Sequence, residues 1–122
     1  MSEQKEIGIL IATSQPATQA GLKMLLKEES SRYILAEAQD SHELLKKIEA
    51  TCPQVVLLDW DLLDRATPIL IKTISTLDPD TRLIIISAEA EHKQPAIDAG
   101  AYAFSSMADP PRQLMTMIED LV

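Results

Sequence analysis

Three short, unbroken apolar runs, at residues 7–12, 55–58 and 83–86, constrain this chain more than anything else in it. They are rich in Ile, Val and Leu, with Gly8 as the one small interruption. A strand with one wet face alternates apolar and polar residues. A continuous apolar run of this length reads instead as a strand covered on both faces, as in a parallel sheet flanked by helices. Two weaker strands fit at 33–37 and at 101–105, the second entered through the turn residue Gly100.

Helical spacing fills the intervals. In 16–29, Leu22, Leu25 and Leu26 share one face, and Pro16 suits a first turn. Asp40 with Glu43 three residues on makes a capping-box-like start, followed by Leu44, Leu45 and Ile48. Leu70, Ile71, Ile74 and Leu77 form a third face, closed by Asp78-Pro79. Leu114, Met117, Ile118 and Leu121 form the last face, after Pro110-Pro111. The stretch 91–99 is the weakest helical pattern, because Pro95 interrupts it. The order is five strand–helix pairs, which predicts a doubly wound α/β domain with a five-stranded parallel sheet. No linker, low-complexity tract or second domain divides residues 1–122.

Composition excludes several functions. The net charge of −8 repels phosphate backbones and argues against direct nucleic-acid binding by this domain. Cys52 is the one cysteine, so no intrachain disulfide can form. His42 and His92 have no partner Cys for a structural zinc and are expected on solvated helix faces. The five methionines read as packing residues. The polar start, Met1 to Glu6, has no signal-peptide core, and no apolar run is long enough to span a bilayer. A cytoplasmic domain without membrane contact is the expectation.

In an open parallel sheet, ligands bind outside the carboxyl ends of the strands. Thr13-Ser14, Asp59-Trp60-Asp61, Ser87-Ala88 and Ser105-Ser106-Met107 occupy those ends. Asp59 is the most suggestive, since a carboxylate directly after an apolar strand must face the crevice or find a partner. The same pattern fits a loop residue that caps the next helix. Asp61 and Asp64 read as solvated loop or capping residues, Ser87 as a partner for a strand-end backbone group, and Trp60 as a partly buried loop residue.

At these residues the chain resembles the receiver domain of two-component response regulators, most closely the subgroup followed by a LuxR-type helix-turn-helix. Residues 9–16 with Gly21-Leu22 resemble the first strand and helix of that subgroup. Val55 to Asp59 resembles the phosphoacceptor strand, residues 77–88 the fourth-strand region, and Ala99-Gly100-Ala101 with Phe104 the approach to the fifth strand. The resemblance covers nearly the whole chain and implies a flavodoxin-like fold with five flanking helices. It makes Asp59 the phosphoacceptor candidate, Ser87 the hydroxyl that bonds a phosphoryl oxygen, and Phe104 the switch aromatic. It also makes Asp61 the residue whose carbonyl, beside the Asp59 carboxylate, helps hold a metal. The implied partners are a histidine kinase or an output domain.

The departures are as informative. Thr13 and Ser14 stand where the family has an acidic pair that holds Mg²⁺, and Met107 stands where it has a phosphate-binding lysine. The stretch after Ser87 is shorter than is usual in the subgroup. One carboxylate and two hydroxyls bind a hard cation much more weakly than three carboxylates. Losing a charge-assisted contact from lysine costs about 1.5–3 kcal/mol. The expectation is therefore an atypical receiver with no resident cofactor and at most weak Mg²⁺ binding. It would be no enzyme, and would act by binding a protein or by homodimerising through its fourth helix, fifth strand and fifth helix. Met115 and Val122 are expected to be exposed near that face. Two alternatives remain: a working phosphorylation switch at Asp59, and a small-ligand domain using the hydroxyls of Thr13, Ser14, Ser87, Ser105 and Ser106. The crevice has no glycine-rich phosphate loop, which disfavours nucleotides and flavins.

Overall fold

A computed structural model describes residues 5–62 and 67–122. Asp64 lies outside the described residues. The strands are β1 (Ile7–Ala12), β2 (Tyr33–Ala38), β3 (Val55–Asp59), β4 (Arg82–Ser87) and β5 (Ala103–Ser106). The helices are α1 (Pro16–Glu29), α2 (Ser41–Thr51), α3 (Thr67–Leu77), α4 (Lys93–Ala99) and α5 (Pro111–Leu121). All four strand pairings are parallel, in the order β2-β1-β3-β4-β5. The winding reverses at β1, so the crevice lies where β1 and β3 end side by side.

The apolar runs are continuous because alternate residues enter two different cores. Ile7, Ile9 and Ile11 of β1, Val55 and Leu57 of β3, and Ile84 and Ile86 of β4 face one way. They meet Leu26 of α1 and Leu114, Met115 and Ile118 of α5. Leu10, Ala12, Val56, Leu58, Leu83 and Ile85 face the other way, against Leu44 and Ile48 of α2, the α3 stripe, and Ala96 and Ala99 of α4. Each Val, Leu, Ile or Met side chain so covered contributes about 1.5–3 kcal/mol relative to exposure.

Local chemistry fixes the boundaries. The Asp40 side chain accepts from the Glu43 amide at 2.8 Å, and Glu43 Oε1 accepts from the Gln39 amide at 2.9 Å. That is the expected reciprocal cap, shifted by one residue at its return bond. Gly100 ends α4 with φ of 116°, a left-handed geometry that glycine adopts without a Cβ penalty. Arg112 of α5 pairs with Glu29 of α1 at 2.8 Å. Beside it Glu29 and Glu119 share a hydrogen bond that holds Glu29 below the usual carboxylate range and lifts Glu119 above it, while Arg112 lowers Glu29 further. Burial raises Tyr33 at the same edge, and the two carboxylates add to the rise.

Several sequence expectations need correction. Pro95 does not interrupt the fourth helix. A single 3₁₀ turn, Ala90–His92, leads into α4, which places Pro95 third in the helix. An N–H there has no intrahelical partner, so proline removes nothing. Met115 is buried, not exposed, because the α5 stripe turns toward α1 and takes in Leu114 and Met115 while Met117 and Leu121 stay half-buried. Leu77 at the end of α3 is exposed, as are Met24 and Met107, which therefore do not serve as core packing. The fifth strand starts at Ala103, two residues later than its apolar pattern: the Ala101 amide closes the end of α4 on the Ala96 carbonyl, and the Tyr102 amide makes the first bond to β4, at the Leu83 carbonyl.

Candidate functional site

The carboxyl ends of β1, β3, β4 and β5 line up across the sheet and carry the chemistry. Asp59 is the last residue of β3 and is only 2% exposed. Its Oδ2 accepts from Thr13 Oγ1 at 2.8 Å, and its Oδ1 accepts from the Asp61 amide at 3.0 Å. Thr13 is fully buried just after β1, and its own oxygen accepts from the Gln15 amide at 3.1 Å. The carboxylate is thus held by neutral donors from two loops. Charge-assisted bonds of this kind offset the cost of burying the group.

The arrangement does not fit a divalent cation. A hard cation needs several oxygen ligands, mostly anionic. Thr13 turns its hydroxyl proton onto the one carboxylate that a metal would share. Ser14 is half-buried, and Asp61 carries an exposed side chain while giving Asp59 its amide. Among the described residues, no group of three or more His, Cys, Asp or Glu could hold a metal ion.

Ser87 ends β4 and is buried, one residue beyond Ile86, the register partner of Asp59. Its hydroxyl is 2.7 Å from Nδ1 of His92 and accepts from the Glu89 amide at 3.1 Å. Its backbone carbonyl accepts from the Met107 amide at 2.8 Å. Met107 therefore sits beside the strand ends, as the resemblance requires, but its side chain is exposed and carries no charge. Phe104 is half-buried in β5 and packs against the core cluster that contains Ala96 and Ala99.

His92 is the residue the sequence reading missed. It is half-buried rather than on a solvated helix face, while His42 is exposed as expected. Besides its bond to Ser87, the imidazole stacks on Trp60, with ring centroids 4.6 Å apart and planes 15° from parallel. The half-buried Trp60 thereby links the segment after β3 to the turn after β4. No periodicity marks His92. Its one signal is a position five residues after a strand-end serine.

The hydroxyls offered for a small polar ligand do not converge. Thr13 is committed to Asp59 and Ser87 to His92, while Ser106 Oγ accepts from the Ala108 amide at 3.1 Å. Ser105 and Ser106 instead border a mainly apolar cleft with Leu22, Leu25, Met107 and Leu114.

The response regulator receiver domain family matches residues 9–119. The chain is 29% identical over 109 residues to the uncharacterized transcriptional regulatory protein YhcZ of Bacillus subtilis, covering 88% of this chain and 51% of that protein. It spans about half the length of the curated relatives it matches. Among solved structures it is similar to a CheY-like response regulator receiver domain protein from Methanospirillum hungatei, at 26% identity and a TM-score of 0.85. That match covers 95% of this chain and 93% of the other. A LuxR-family two-component response regulator from Aurantimonas shares the fold, with a TM-score of 0.87 and 22% identity over 96% of this chain and 85% of that one.

Proposed function

This chain belongs to the response regulator receiver domain family, and we propose that within it the domain acts by protein–protein interaction, without efficient Mg²⁺-dependent phosphorylation. One observation carries this reading: both oxygens of Asp59 are bound by neutral donors, from Thr13 and the Asp61 amide. The carboxylate that would accept phosphate is satisfied without a cation and is closed to solvent. Met107 adds no positive charge for an arriving phosphoryl group. The domain is in this reading no enzyme and has no resident cofactor.

The partner is a protein: an output domain, a histidine kinase or a second copy of this chain. The surface made by α4, β5 and α5 suits such contact, with Ile97, Tyr102 and Val122 exposed around it. The Arg82 guanidinium lies 5.2 Å from the centre of the Tyr102 ring, which orients a large amphipathic side chain outward. No helix among the described residues is long and apolar enough to cross a membrane, and the reading places the domain in the cytoplasm.

A working phosphorylation switch is the second reading, favoured by Asp59, Ser87 and Phe104 lying at the ends of or within β3, β4 and β5 in the expected order. Incubation with acetyl phosphate and Mg²⁺, followed by intact-mass measurement, separates the two. The interaction reading expects no added phosphoryl group. An adduct that is lost in Asp59→Asn establishes the switch instead.

A further inference from the structure

A serine hydroxyl has one proton to give. The Ser87 oxygen already accepts from the Glu89 amide at 3.1 Å, and it lies 2.7 Å from His92 Nδ1. That separation fits either group as donor, since N–H···O bonds span about 2.7–3.2 Å, so the direction follows from which acceptors are at hand. If the imidazole donated instead, the Ser87 proton would have no acceptor among the described residues. The ring is held from its face as well, stacked on Trp60 at 4.6 Å. We infer that His92 is a positioning residue: as the Nε2–H tautomer it takes the only proton of Ser87 and withholds that hydroxyl from any oxyanion at the end of β3.

The inference deepens the interaction reading and rests on it for its meaning. It adds a fourth departure from a phosphate-receiving site, beyond Thr13, Ser14 and Met107, on a residue that no motif marks. It also gives the latch two halves. Nδ1 fixes the hydroxyl, and the stack fixes the turn after β4 against the segment after β3. The ionisable side chains on the segments that meet there are Asp59 at the end of β3, Asp61 just after it, and Glu89, Glu91 and Lys93 around the 3₁₀ turn. Asp64 and Arg65 lie outside the described residues.

Long-range ¹H–¹⁵N spectra of the imidazole nitrogens, recorded on the whole chain at a pH where the ring is neutral, test the latch directly. The expected result is an Nε2–H tautomer with a hydrogen-bonded Nδ1, whose shift moves in Ser87→Ala. A protonated Nδ1, or spectra identical in Ser87→Ala, overturns the inference whatever the chain does with phosphate. A second arm uses a Thr13→Asp, Ser14→Asp, Met107→Lys background. There His92→Phe keeps an aromatic stack on Trp60 and frees the serine proton. It is expected to tighten half-saturation by beryllofluoride about tenfold, the worth of one hydrogen bond to a charged group. Equal affinities with and without His92 count against the inference. Phosphorylation of the wild-type chain would defeat the interaction reading, but the nitrogen spectra would still decide the role of His92.

Discussion

A chain carrying Thr13→Asp, Ser14→Asp and Met107→Lys together will be less stable than the wild type in the absence of Mg²⁺ and will regain stability when Mg²⁺ is added. Thr13 is fully buried and its hydroxyl lies 2.8 Å from the Asp59 carboxylate. A carboxylate at that position faces a like charge with no cation between them. An uncompensated buried charge costs about 3–5 kcal/mol. Three carboxylates around one point are what a hard cation binds. At a Mg²⁺ concentration a hundredfold above its dissociation constant, linkage returns about 2.7 kcal/mol. Urea melts of both chains with and without Mg²⁺ measure this, and the wild type is expected to show no Mg²⁺ dependence. A restored chain that melts identically with and without Mg²⁺ would mean that the three substitutions are not what separates this crevice from a metal site.

Thr13→Val has the opposite logic. It keeps the volume of the side chain and removes the donor, leaving Oδ2 of a buried carboxylate without its partner. The expected loss is about 1.5–3 kcal/mol, the worth of a buried hydrogen bond to a charged group. In the Thr13→Val background, Asp59→Asn removes the stranded charge and should recover part of the loss. The double-mutant cycle then gives a coupling between the two positions. Additive effects would show that the hydroxyl does not hold the carboxylate, and the self-contained site would lose its physical basis.

The fold was legible because each strand must satisfy two cores at once. Ile9 and Leu10, or Leu57 and Leu58, are neighbours in sequence yet face opposite helical layers. Only an uninterrupted apolar run meets that demand. Asp40, Gly100 and Asp78-Pro79 announced boundaries through local chemistry that needs no tertiary context. Helix rotation was less visible. Whether Met115 or Met117 enters the core depends on how α5 leans against α1, and both residues are compatible with the apolar spacing.

The site divides in the same way. Asp59, Ser87 and Met107 follow from strand ends, which the sequence marks. That Thr13 donates to Asp59 is a contact between residues 46 apart in the chain, and no spacing rule contains it. His92 was hidden for a similar reason. Its position in the turn after β4 says nothing of Trp60, which arrives from the segment after β3.

The most direct test of the central claim uses Trp60, the sole tryptophan, which adjoins Asp59 and stacks on His92. Its emission in the wild-type chain, at fixed pH, is followed through additions of Mg²⁺ to millimolar levels and then of beryllofluoride. A flat titration is the predicted result, since neither ion finds ligands at Asp59. A saturable change that disappears in Asp59→Asn would contradict the account and show a working phosphoacceptor.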